Sequence, residues 1–341
     1  MKIEVHSPTI RRKEMDAVLT AMVEDRIGPG ECSRLLIQTA KEYLRFDFAV
    51  ALRSPATALR IAVKAVGLED GDGVAISALS PLYYASVLSE LRLTPVFCDV
   101  SFSFPCMSVE SIEKAIAAAP EGKKPRCIVL HHTLGFVPDT AAIAGLGLPV
   151  IDDISQSYCC ENAAAAGVFS ILGLEERDAL TAGGGALLFA TNKRDSSVLR
   201  NHSNLPLEYR LPDINAALAT VQFKEAVKNL ERRKEIANAY AQASLRNRHK
   251  KFVPVEGREY NHYAFTQIIE TGVKDVTAYA RKKEILIENV LEQTLAGAGI
   301  SDSVLCPVSH SLALRTLSFP LYPRLRSREI ERVTKLLTTL P

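Results

Sequence analysis

The sequence predicts an α/β protein, a mostly parallel sheet with helices on both faces, followed by a smaller C-terminal α+β part. Three observations carry this. Short apolar runs alternate with helical patterns through the first half of the 341 residues. One run, Leu148-Pro149-Val150-Ile151, ends in Asp152-Asp153 and then Ser155-Gln156, the pattern of a buried strand delivering an acid to its C-terminal edge. A turn, Thr181-Ala182-Gly183-Gly184-Gly185, opens a second apolar run, Ala186-Leu187-Leu188-Phe189-Ala190. Glycines that cradle phosphate should lead into a helix, and these lead into a strand.

Taken in order, residues 9–26 show helical apolar spacing, which predicts Met15, Val18, Leu19 and Met22 facing inward. A second helix is expected over 32–44, with Leu35, Leu36 and Tyr43 on its inner face. Strand candidates follow at 48–52, 73–77, 95–98, 126–130 and 149–151, separated by helical candidates at 57–67, 84–91, 109–119 and 140–144. A long helix is expected from about 213 to 246, with Ile214, Leu218, Val221, Val227, Leu230 and Ile236 on one stripe. It bridges a large domain, 1–245, to a small one, 246–341, where 263–269 reads as a strand and 327–340 as a closing helix.

Composition narrows the function classes. At 47% hydrophobic and 23% charged the chain suits a soluble globular protein. A net charge of +2 gives no argument for nucleic acid or an anionic membrane as partner. No apolar run approaches the ~18 residues needed to cross a bilayer, and the first residues lack a signal-peptide core. Seven cysteines without paired metal spacing suggest reduced thiols and a cytoplasmic location. His131-His132 are adjacent and point to opposite faces of a strand, so no metal site is expected.

The central stretch resembles the cofactor core of the DegT/StrS family of nucleotide-sugar aminotransferases, which have the fold type I architecture of pyridoxal phosphate (PLP) enzymes. The resemblance continues through His132 with Gly135, through Tyr209-Arg210-Leu211-Pro212-Asp213-Ile214-Asn215-Ala216-Ala217, through Arg232-Arg233 with Tyr240, and through Leu317-Ser318-Phe319-Pro320-Leu321-Tyr322-Pro323. It implies that fold, with a large domain and a small α+β domain, and a homodimer whose active sites lie between subunits. It also implies that Asp153 and Gln156 stand where the family contacts the pyridine ring.

The same alignment exposes departures. The Schiff-base lysine falls on Asp178, and no lysine occurs between Lys124 and Lys193. PLP catalysis needs an amine for the imine, an acid for the pyridine nitrogen and anchors for the phosphate. Asp178 has no amine, and its unperturbed pKa near 3.9 makes it a poor base without strong burial. Where the family has Ser-Gly-Thr the chain reads Ser54-Pro55-Ala56, which exchanges a hydroxyl for a methyl and removes one N–H. The anchoring serine falls on Gly173. The asparagine lent by the neighbouring subunit corresponds to Glu208, whose charge at ~5 Å and a dielectric near 20 would repel the phosphate by about 3 kcal/mol per unit charge. Pro81 takes the place of the stacking aromatic, with Tyr83 and Tyr84 nearby.

The reading that follows is a DegT/StrS-like protein without the PLP lysine and phosphate anchors, a non-catalytic or PLP-independent binding or regulatory relative. No cofactor is expected, or PLP or its pyridoxamine form (PMP) if any. An active aminotransferase paralogue is a candidate partner and a nucleotide sugar a candidate ligand. The alternative is an enzyme of polysaccharide biosynthesis that modifies nucleotide or amino sugars, holding PLP or PMP without a lysine or using Asp153 and Asp178 as a carboxylate pair. Glu175, Glu176 and Asp178 also fit a solvated charged loop, and a degenerate copy without a ligand is a third possibility.

Overall fold

The computed structural model describes residues 2–160, 163–164, 166–255, 260–270 and 272–341. Two helices, α1 (Arg12–Val23) and α2 (Glu31–Leu44), precede the sheet. Strands and helices then alternate: β1 (Phe48–Leu52), α3 (Pro55–Val66), β2 (Gly73–Ser77), α4 (Tyr83–Glu90), β3 (Thr94–Cys98), α5 (Val109–Ala118), β4 (Pro125–His131), α6 (Thr140–Ala144) and β5 (Val150–Asp153). β6 (Phe169–Gly173) and β7 (Ala186–Ala190) complete the sheet. Its strand order is β1-β7-β6-β5-β4-β2-β3, and β7 alone runs against its neighbours. Every residue of β2, β5, β6 and β7 is buried, as helices on both faces require. The parallel strands bring their C-terminal ends to one edge, where an open α/β sheet places its ligands.

The three glycines before β7 lie at φ +70°, +142° and +118°. A Cβ on Gly185 would sit 2.3 Å from the Leu211 side chain, so both conformation and space demand glycine there. β6, absent from the strands expected of the sequence, is a five-residue segment interrupted by Ser170 and too short to declare its own period.

α7 (Lys193–His202) leads to the 31-residue α8 (Asp213–Ala243). Asp213 in its first turn accepts the Gly30, Cys32 and Ser33 main-chain N–H groups at 2.8–2.9 Å, satisfying the opening donors of α2 and pinning it to α8. A second sheet, β8 (Phe265–Ile268), β9 (Glu288–Asn289) and β10 (Thr316–Phe319), has the antiparallel order β8-β10-β9. Around it lie α9 (Val273–Lys282), α10 (Pro307–Arg315) and α11 (Ser327–Thr338). Its core draws in Ile236, Ala237 and Tyr240 from the second half of α8, and Ile3.

Three inner-face expectations are corrected. On α1, Met15, Leu19 and Met22 are exposed, and Glu14 and Ala21 are buried. On α2, Leu35 is exposed and Leu36 with Ala40 buried, while Tyr43, partly open to solvent, sets its ring against Tyr158 and Phe223. On α8, Ile236 alone of the expected stripe is buried; the contact face is Ala216, Ala219, Phe223, Ala226, Ala237 and Tyr240. Alanines let α1 and α2 approach α8 closely, and a stripe of larger apolar residues would hold them apart. Cys32, Cys98, Cys106, Cys127 and Cys306 are free thiols. Among the described residues no helix is long and apolar enough to cross a membrane.

Candidate functional site

The ends of β4, β5 and β6 open on a cavity of about 550 Å³. His131, Asp153, Ser155 and Gln156 form its sheet wall, and Glu175, Arg177 and Asp178 come from the loop after β6. Pro81 and Tyr83 come from the start of α4, His6 from the N-terminal segment, and Arg233, Tyr263 and 288–294 from the opposite side. The expected residues Asp153, Gln156 and Asp178 are therefore brought together.

Asp153 is fully buried, and its carboxylate is saturated. Oδ2 accepts the hydroxyls of Tyr84 at 2.7 Å and Tyr83 at 3.0 Å. Oδ1 accepts the N–H of Ser155 at 3.1 Å and also its hydroxyl. His131 Nδ1 lies 3.5 Å from Oδ2. A carboxylate offers about four lone-pair directions, and hydrogen bonds occupy that number here. Burial pushes this carboxyl up, but His131, Ser155 and Tyr84 outweigh it and hold the group below the usual range. The Ser155 oxygen in turn accepts the Gly173 N–H at 2.7 Å, tying β5 to β6.

Asp178 behaves oppositely. Its Oδ2 accepts the Glu175 N–H at 2.8 Å and closes the loop on itself. Burial drives its carboxyl well above the usual range, and the charges of Asp153 and Glu175 add to this against that one hydrogen bond. Gly173 lies directly beneath, since a Cβ there would meet Asp178 Oδ2 at 2.3 Å and Ser155 Oγ at 2.9 Å. A serine at 173 and this placement of Asp178 exclude each other.

Gln156 is held by the scaffold. Its Oε1 accepts the Leu134 N–H at 2.6 Å, and its carbonyl accepts Asn261 Nδ2 at 2.6 Å. This clamps the turn at Gly135, which has φ +84° and leaves 2.2 Å between an added Cβ and Asn261 Oδ1. Two other expected positions lie off the cavity wall. Ala56 packs on the core side of α3, and the cavity meets Pro55 instead. Ser54 caps α3 by accepting the Thr57 N–H at 3.2 Å. Glu208 is exposed in the Leu207–Tyr209 turn, next to the Tyr209 carbonyl that accepts the Arg53 N–H at 2.9 Å.

The histidines find carboxylates across the strand pair, which spacing along the sequence could not show. His132 is buried, with Nδ1 at 2.7 Å from the Ser157 hydroxyl and Nε2 at 3.7 Å from Asp152. Among the described residues no cluster of three metal-ligating side chains exists. Sequence reasoning also missed Arg233. It is 7% exposed, and its Nη1 donates to the Tyr263 and Leu321 carbonyls, each at 3.0 Å. Burial, then the charges of Arg233 and Arg177, lower the His6 pKa to about 4.

Residues 8–338 match the model of the DegT/DnrJ/EryC1/StrS aminotransferase family. The chain is 25% identical over 310 residues to a UDP-N-acetyl-3-dehydro-alpha-D-glucosamine 3-aminotransferase of Acidithiobacillus ferrooxidans, covering 83% of this chain and 82% of that one. It is 24% identical over 370 residues to a dTDP-4-dehydro-2,3,6-trideoxy-D-glucose 4-aminotransferase of Saccharopolyspora spinosa, covering 97% and 94%. Among solved structures it superposes on the aminotransferase TlmJ of Streptoalloteichus hindustanus with a TM-score of 0.86 at 19% identity, covering 98% of each chain. The PLP-form of Spr1654 from Streptococcus pneumoniae gives 0.88 at 16%, covering 99% and 98%. These likenesses fix the fold as that of the PLP fold type I aminotransferases.

Proposed function

Because the chain belongs to the DegT/DnrJ/EryC1/StrS aminotransferase family, we propose that it is a PLP-independent binding or regulatory relative of the sugar aminotransferases. Its cavity takes a sugar ligand, of the nucleotide-linked kind named for its relatives, without the cofactor. The observation that carries this is Asp178, a carboxyl that projects into the cavity and occupies the space above Gly173.

The residues present do not fit pyridoxal phosphate. No lysine lines the cavity among the described residues. Tyr83, Tyr84 and Ser155 already fill the hydrogen-bonding capacity of Asp153, leaving none for a pyridinium. Pro55 brings no N–H to the first turn of α3, and Ser54 occupies that of Thr57. Asp153 and Glu175 would face a dianion with like charge.

The test is the absorbance spectrum of purified protein with added PLP, before and after borohydride. The expected result is no band beyond the free cofactor. A band that borohydride fixes to the chain would overturn the proposal.

A homodimer belongs to the same proposal, with an active paralogue as the other candidate partner. Met15, Leu19, Met22 and Val23 of α1 and Leu35 of α2 are all exposed on the two opening helices, an apolar surface suited to a second subunit.

A second reading has one observation in its favour. On one cavity, hydrogen bonds hold the Asp153 carboxyl low while burial pushes that of Asp178 high, opposite shifts of the kind that part a base from an acid. If this pair supports a turnover, Asp153→Asn and Asp178→Asn each abolish it; unchanged rates dismiss the pair.

A further inference from the structure

A second cavity, of about 560 Å³, runs along the outer edge of β3 and shares no lining residue with the one at the ends of β4–β6. β3 is the last strand of the sheet on that side and pairs with β2 alone. The Thr94 N–H donates to the Asp72 carbonyl at 2.9 Å, and the Cys98 carbonyl accepts the Ala78 N–H at 3.0 Å, both on the β2 side. Alternation along the strand then turns the main chain of Pro95 and Phe97 outward, the one side on which a proline is tolerated. The Phe97 N–H and the Pro95 and Phe97 carbonyls have no hydrogen-bond partner among the described residues.

The walls turn this edge into a slot. α5 covers the sheet face that holds Cys98, and Val308 packs with Phe97 on the other face. Ala115 and Ala118 line one side, and Val304 and Leu305, 84% and 57% exposed, stand on the other. Asp99 is spent on α10, accepting the Val308 and Ser309 N–H groups at 3.0 and 2.8 Å. Lys114 and Lys123 line the slot without an ion pair among the described residues. Lys123 belongs to the Thr94 end, because a Cβ on Gly73, the partner of Thr94, would meet its carbonyl at 2.3 Å. Glu110, in the first turn of α5, lies at the far end of that helix from Lys123. An edge that is only guarded is blunted by charge or covered over. This one is open, apolar along its sides and cationic at one end. An alkyl chain laid in it would strip water from three main-chain groups and return no hydrogen bond. A second copy of β3 carries its own α5 and 304–308 and cannot enter between these walls.

We infer that the slot is a peptide site, which takes the extended C-terminal tail of a partner protein as an added strand on β3. The tail's α-carboxylate meets Lys123 and Lys114, which sets its direction antiparallel to β3. Its main chain supplies an acceptor for the Phe97 N–H and donors for the Pro95 and Phe97 carbonyls, and its side chains fill the space between α5 and Val304. With apolar walls on both faces, β-branched residues suit it at every position. The five residues of β3 limit the bound segment to about that length. The site is independent of what the cavity at β4–β6 binds.

The test is calorimetric titration of the full chain with the peptide acetyl-Val-Thr-Val-Thr-Val, as free acid and as amide. The acid is expected to saturate below about 1 mM and to bind about fivefold or more tightly than the amide. Lys114→Ala with Lys123→Ala is expected to bring acid and amide within about twofold, with the amide as before. Ala118→Trp, at an exposed helix position, fills the slot and is expected to weaken both about tenfold. Methylating successive amide nitrogens of the peptide is expected to lose and keep binding in turn, because every second N–H of a strand faces its neighbour. Equal affinity of acid and amide overturns the carboxylate assignment, and uniform tolerance of methylation overturns the added strand. No saturation, or binding indifferent to Ala118→Trp, overturns the site. Two results reassign it and overturn the peptide: decanoate binding more tightly than the acid and lost in Ala118→Trp, or a light-scattering mass that this variant halves.

Discussion

The hydroxyl of Tyr84 donates to Asp153 Oδ2 at 2.7 Å, and both side chains are wholly buried. The bond joins the start of α4 to the end of β5, elements separated in sequence by two strands. A buried hydrogen bond to a charged acceptor contributes about 1.5–3 kcal/mol. Tyr84→Phe is therefore expected to lose roughly 2 kcal/mol in urea unfolding. Combined with Asp153→Asn, the two losses should fall well short of additive.

The two cavity carboxyls set opposite pH dependences. Asp153 titrates below its unfolded value, so the stability it supplies is present above about pH 4 and lost as pH falls further. Asp178 titrates above its unfolded value, so its contribution is fully present below about pH 4 and declines as pH rises toward the folded value. Asp178→Asn is expected to be more stable than the parent at pH 8, by roughly 1 kcal/mol, with the gap closing toward pH 4. Melting curves across that range check it.

Gly173→Ser is expected to destabilise by about 1–3 kcal/mol, because the new Cβ meets Asp178 Oδ2. Removing the obstacle with Asp178→Ala should recover much of that loss. A double-mutant cycle with no coupling would show that the two positions do not compete for space.

Ser54→Ala removes the acceptor of the Thr57 N–H at the start of α3, with an expected cost of about 1 kcal/mol. Affinity for a ligand of the β4–β6 cavity should stay as it is, since that cavity meets Pro55 and not Ser54.

Leu19→Glu with Leu35→Glu places charge on the exposed apolar surface of α1 and α2. Light scattering on the separated species should read about half the parent's mass. A parent that is already monomeric contradicts the dimer.

Much of this architecture is legible in the residues. The strands at 48–52 and 73–77 coincide with β1 and β2, because short apolar runs between turn signals have few other solutions. Asp153 and Asp178 reach one cavity as their places in the motif imply. Helix faces are the weak point: Met15, Leu19 and Val227 follow helical spacing yet stay exposed, because the packed face of α1 is Glu14 with Ala21 and that of α8 is mostly alanine around Phe223 and Tyr240. The partners of Asp153 were unreadable for another reason. Tyr83, Tyr84 and His131 reach it across strand register and through the α4 turn, which local patterns do not encode. The burial of Arg233 was unreadable because it depends on two carbonyls, those of Tyr263 and Leu321, supplied by segments distant in sequence.

The core beneath β8–β10 has an origin that bears on how the molecule is made. It includes Ile3, joined to Ile285 through main-chain pairing, along with Ile236 and Tyr240 and, at the other extreme, Leu337. Such separations make closure entropically slow, since distant segments must meet before any of them is rewarded. A nascent chain would hold the large sheet while Ile3 waits, unburied, for α9 and α11 to leave the ribosome. A fragment beginning at residue 246 would lack Ile3, Ile236, Ala237, Tyr240 and Ala243, and with them one wall of its interior.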